Sequence, residues 1–159
     1  MKGLVLAEQG HVVNILAPVD ITGGKTAQAF STANYQHVTI IVQIGVSAAA
    51  FTKILVNQCT DASGSNPVAI PFAIYKQETA GAVNDVLGAR TAVAAAGYTP
   101  SANDGIFYVI EIDASELNAG TGIYLQLQMT NGANSVIASA IAILSGARFA
   151  ETQSPTVTT

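Results

Sequence analysis

Between His37 and Ile44 the aliphatic residues Val38, Ile40, Val42 and Ile44 fall on one face, while His37, Thr39, Ile41 and Gln43 fall on the other. That period of two predicts a strand resting on a core. The same alternation runs through 123–130, with Ile123, Leu125, Leu127 and Met129 against Tyr124, Gln126, Gln128 and Thr130. Residues 106–113 are apolar at almost every position and rich in strand formers, which predicts a central strand. After the turn signal Asn131-Gly132 comes the apolar run Val136 to Leu144, too short to span a bilayer as a helix, which needs roughly 20 residues. The three segments from Gly105 onward read as consecutive strands building one sheet.

Upstream, Val12 to Ala17 predicts a strand ended by Pro18, which has no amide to donate to a ladder. A long polar connection follows, from Gly23-Gly24 to Asn34, with Phe30 and Tyr35 as its anchors on the sheet. Thr52 to Cys59 is a further strand, and the turn residues of 61–67 predict a loop. Val68 to Tyr75 reads as a strand interrupted by Pro71, hence an edge or a bulge. Lys76 to Asp85 is polar, and Leu87 to Val93 favours a strand over a helical turn at 92–97. Asp113 with Glu116 three positions on predicts a capped helical turn. Seven or eight short strands separated by turns predict an all-β fold, an antiparallel β-sandwich with at most short helical turns. Jelly-roll and simpler Greek-key topologies both accommodate that count.

A chain of 159 residues fits one domain with a sizeable core. The expected division is an N-terminal arm or added edge strand over 1–11, a sandwich over 12–149 and a flexible tail over 150–159. Composition changes the picture in one respect: charged residues make up 10% of the chain and apolar residues 50%. An exterior so poor in charge suits a chain packed against other subunits. The net charge of −4, with six scattered Lys and Arg, offers no stripe for phosphates, so nucleic acid is not an expected partner. Cys59 is a single cysteine and reads as a strand residue. The brief apolar run near the N-terminus meets Glu8 before it reaches the length of a signal-peptide core, so synthesis and assembly in a cytoplasm are expected.

Candidate chemistry is sparse. Glu111 and Asp113 lie two apart on one strand face, but carboxylates leaving a strand into a capped turn read more simply as solvated or capping groups. His11 and His37 have no His, Cys or acid at ligand spacing along the chain and read as surface or interface residues. Gly23-Gly24-Lys25-Thr26 matches only the end of a phosphate loop. No nucleophile elbow or zinc-protease motif occurs, so neither an enzyme nor a cofactor nor a metal site is expected. Arg148, at the end of the last strand, is available to a carboxylate of its own fold or of a neighbour.

Three stretches, Ile40 to Val46, Asn103 to Leu117 and Ala142 to Phe149, resemble a family of small structural proteins of tailed bacteriophages, usually encoded among head genes. The likeness spans Val12 to Phe149. It implies a virion component without enzymatic residues, a decoration or cement protein on the capsid exterior bound to the major capsid protein. Weak contacts repeated around a three-fold axis would suit such a role, so self-association as a trimer is expected. Strand addition by a terminal arm would serve such binding. Lys2, Leu4 and Leu6 in the N-terminal arm, with Arg148 and Phe149 before the tail, are then the candidate interface residues. Neither nucleic acid nor membrane is an implied partner. The alternative class is a head-fibre or tail-associated binding module that holds a host glycan or receptor in a loop pocket, where Tyr35 and Tyr98 are the available stacking platforms. A small hydrolase, the third class, would need a nucleophile and base pair that the sequence does not offer, and only turnover lost on replacing Glu111 or Asp113 would support it.

Overall fold

The computed structural model describes residues 5–77, 86–101, 104–147 and 156–157. Two antiparallel sheets pack face to face around one hydrophobic core. The elements are α1 (Leu6–Gln9), β1 (Gly10–Asp20), β2 (Lys25–Thr26), β3 (Phe30–Ser31), β4 (His37–Ser47), β5 (Lys53–Cys59), β6 (Val68–Ile70), β7 (Phe72–Gln77), β8 (Thr91–Val93), β9 (Phe107–Asp113), the 3-10 turn Ala114–Glu116, β10 (Tyr124–Thr130) and β11 (Val136–Ser145). The six-stranded sheet runs β1-β11-β4-β9-β7-β8 and the five-stranded sheet contains β2-β10-β5-β6, with β3 also paired to β10. Both sheets are open among the described residues.

The sandwich is as expected, but the described residues form eleven strands where seven or eight were predicted. Two of the additions, β2 and β3, are two-residue pairings of the Gly23–Asn34 connection with β10. The third arises at Pro71. It divides the expected strand into β6, which pairs β5, and β7, which pairs β9 in the opposite sheet. A residue without an amide proton suits the corner where a chain leaves one ladder for another. Pro18 behaves differently: β1 continues past it to Asp20, with register shifts between Asn14 and Leu16 and between Leu16 and Val19. β1 is an edge strand, and a bulge there accommodates both proline and the consecutive burial of Ile15 and Leu16.

A larger correction concerns the three strands after Gly105. They do not form one sheet. β9 is central in the six-stranded sheet, between β4 and β7, β10 lies in the five-stranded sheet, and β11 returns to the first, between β1 and β4. The two connections are arches across the core rather than hairpins. The first holds the capped turn, in which Asp113 Oδ1 accepts from the Ser115 amide at 2.9 Å and Glu116 Oε2 accepts from the Asp113 amide at 3.3 Å. In the second, the Asn131 side-chain amide donates to the carbonyls of Ile21 and Asn134.

The alternation read in β4 and β10 holds in three dimensions. Val38, Ile40, Val42 and Ile44 face Leu125, Leu127 and Met129 across one buried cluster, which Phe30, Tyr35, Ile54 and Tyr108 complete. Ile123, the first member of the predicted inward row, precedes β10 and is exposed.

Candidate functional site

The residues with most chemical potential lie on the outer face of the six-stranded sheet. Because Ile110 and Ile112 of β9 point into the core, Glu111 points out. The register then sets Glu111 beside Thr39 of β4 and Ala73 of β7, and Asp113 beside His37. Glu111 Oε2 lies 2.6 Å from His37 Nε2 and accepts a 2.7 Å hydrogen bond from the Thr39 hydroxyl. These partners sit more than seventy residues away in sequence, which is why spacing along the chain left His37 without an acid.

Around this group the sheet, the capped turn and the segment before β8 line an open depression of about 480 Å³. Its polar side carries His37, Glu111, Asp113 and Glu116, and its other wall carries Ala73, Tyr75, Leu87 and Arg90. Hydrogen bonds from the Ser115 hydroxyl and amide, helped by the nearby His37, hold the Asp113 carboxyl below the usual carboxylate range. Asp113 therefore meets its predicted capping role while also lining the concavity. Among the described residues no three His, Cys, Asp or Glu side chains are grouped to hold a metal ion.

A second, polar depression of about 340 Å³ is lined by Gly23 to Thr26 and Gln128 to Asn131. It is no phosphate cradle. The amides of Gly23 and Gly24 already donate to the carbonyls of Gly132 and Ile21.

Of the interface residues expected from sequence, Lys2, Leu4, Arg148 and Phe149 lie outside the described residues. Leu6 is in the short helix α1 and partly exposed. A Cβ placed on Gly10 would stand 3.0 Å from Leu6 Cδ1 and 3.3 Å from Ile143 Cγ2, so glycine lets this segment approach the start of β1. Within the expected tail, Thr156 and Val157 dock on the body. The Thr156 carbonyl accepts from the Ser31 amide, its hydroxyl lies 3.3 Å from His11 Nε2, and Val157 packs on the core.

The tyrosines expected to serve as loop platforms turn inward instead. Tyr35 is buried and stacks on His11 at 5.8 Å, and Tyr98 packs edge-on to Tyr108 at 5.6 Å. Tyr75, on the sheet face, was not singled out by sequence because strand tyrosines give no sign of which face will be concave. No family model matches the chain, and no curated protein matches it. Among solved structures, the crystal structure of SPBc2 prophage-derived protein YomS is similar over 84% of this chain and 92% of that chain, with 11% identity and a TM-score of 0.45.

Proposed function

We propose that this protein is a structural virion component of a tailed bacteriophage, a decoration or cement protein that binds the exterior of the major capsid lattice and self-associates as a trimer. One observation carries the assembly part of this reading: β11 is built inside out. Its core-facing positions include Ala138, Ala140 and Ala142, while Ile137, Ile141 and Ile143 project from the outer face. Burying an aliphatic carbon is favourable by about 0.8 kcal/mol, and the exposed Ile137, with the half-buried Ile141 and Ile143 beside it, leaves part of that gain unused in the isolated chain, about 1 kcal/mol or less for each half-buried side chain. The small inner side chains let the sheets close on each other, but they give no reason for aliphatic side chains outside. A neighbour seated on that face does.

The outward row continues across the sheet, where Asn14, Ile141, Ile41, Val109 and Tyr75 stand in register on five successive strands without a formal charge. Many copies of a modest contact repeated around symmetry axes would hold a shell by avidity. The virion class itself is supported by the sequence resemblance of Ile40–Val46, Asn103–Leu117 and Ala142–Phe149. The role is non-enzymatic on this reading.

The test is to mix purified protein with expanded capsids lacking it and to image them by cryo-electron microscopy. Saturable symmetric density on the outer shell, with better survival of heat, is expected. Empty shells together with binding to tails or host glycans would overturn the cement role in favour of a fibre or tail module.

A further inference from the structure

The 480 Å³ concavity lies towards the β9-β7-β8 side of the sheet, beside the aliphatic surface of β1, β11 and β4. Its walls differ in what they offer. On one side, Glu111 Oε1 and Glu116 Oε1 are acceptors that make no hydrogen bond among the described residues, since both side chains bond through their other oxygen, and the Asp113 carboxylate lies beside them. On the other, the exposed Arg90 guanidinium brings up to five donors and the Tyr75 hydroxyl can donate or accept. Leu87 and the Tyr75 ring add apolar surface to the same wall.

A ligand for this arrangement must donate to carboxylates and accept from a guanidinium over a short span while presenting an apolar patch to an aromatic wall. A simple cation fits the carboxylates and leaves Arg90 opposed. An anion does the reverse. A pyranose meets both demands: neighbouring hydroxyls each donate and accept, and one ring face is largely C–H. We infer that this concavity is a binding site for a neutral saccharide, with Glu111 and Arg90 gripping adjacent hydroxyls and Tyr75 supporting the ring. The site does not depend on the capsid role, and a protein seated over β1, β11 and β4 would leave room for it.

The full chain, labelled with ¹⁵N, is titrated with methyl glucoside, methyl galactoside, methyl mannoside and N-acetylglucosamine, and separately with N-acetyl-lysine amide as a cationic control. Saturable amide shifts around Tyr75, Arg90 and Glu111 with at least one sugar are expected, with binding weakened about tenfold by Arg90→Ala or Glu111→Gln. Arg90 is exposed and its side chain makes no hydrogen bond among the described residues, so its variant keeps the test intact even if Glu111→Gln fails to fold. The inference is overturned by silence towards all four sugars at tens of millimolar, by binding that the Arg90 variant leaves unchanged, or by response to the lysine amide alone. The last result would make the concavity a seat for a basic side chain of a protein partner.

Discussion

Ile141 of β11 and Ile41 of β4 stand directly opposite each other on the outer face of the six-stranded sheet, while their neighbours Ala140 and Val42 form the corresponding pair on the core side. The larger side chain of β11 is thus on the outer face, where it is only half-buried. If a neighbouring subunit covers that face, charge placed there should impair assembly far more than folding. The exposed Ile137→Lys, alone or with Ile141→Thr, is expected to shift the urea midpoint little, with a cost of about 1 kcal/mol or less. The same variants should sediment as monomers and fail to bind shells. Unchanged association would separate the aliphatic face from any role in assembly.

On the core side the prediction reverses. Ala140 is buried between the sheets, so Ala140→Leu has no space to enter and is expected to destabilise by roughly 1–3 kcal/mol. Ile40→Ala, which opens a cavity beneath the same strands, should cost about 2–5 kcal/mol. Urea denaturation of the two single variants checks both figures.

Acid stability should depend on Asp20. Its carboxylate ends β1 and ties it to the start of β11, accepting from the Ser135 hydroxyl at 2.6 Å, the Thr22 hydroxyl at 2.8 Å, the Thr22 amide at 2.9 Å and the Val136 amide at 3.2 Å. These bonds, that from Ser135 foremost, bring its pKa down to about 2. An unfolded Asp titrates near 3.9, roughly. Because the folded value is the lower one, Asp20's contribution is complete above about pH 4 and is lost as the pH falls towards 2. Unfolding midpoints measured between pH 5 and 2 should fall for the wild type, and Asp20→Asn should flatten that slope. An equal slope in both would remove Asp20 as its source.

Much of this architecture was legible because it is local. The inward rows of β4 and β10 follow from the period of two, and the Asp113–Glu116 capping box follows from residue types three apart. What the sequence hid depends on which elements meet. A polar loop between two strands looks the same whether it closes a hairpin or arches over a core, so β9, β10 and β11 were indistinguishable from a meander. Pro71 signalled an interruption but not a change of sheet. The contact of Glu111 with His37 exists only through the pairing of β4 with β9, and the inside-out composition of β11 is unreadable until one of two apolar faces is known to be the inner one.

The arch between β9 and β10 depends on glycine at one position. Gly122 has φ of +124°, and a Cβ there would collide with the Cys59 carbonyl oxygen. Gly23 also has a positive φ, +77°, but a Cβ there meets nothing within 4 Å. Gly23→Ala should therefore cost only backbone strain, about 1–2 kcal/mol. Gly122→Ala adds a backbone collision and should cost roughly 2–5 kcal/mol. Thermal unfolding of the pair tests the order, and equal losses would refute the role of close approach.

Gln58 holds the same arch from within. It is 1% exposed, its Nε2 donates to the carbonyls of Asn118 and Gly122, and its Oε1 accepts from the Asn118 amide at 3.1 Å. One buried amide thus satisfies three backbone groups that the five-stranded sheet cannot reach. Gln58→Leu removes every partner and should cost roughly 2–4 kcal/mol. Gln58→Glu keeps the shape but sets a carboxylate against two carbonyl oxygens, so burial and repulsion would raise its folded pKa above the unfolded one. The sign is then opposite to that of Asp20: protonation restores a donor, and the variant should gain stability relative to wild type as the pH falls from 7 to 5. Urea midpoints at those two pH values decide it, because a deficit that stays constant would mean that the side chain had left the arch for solvent.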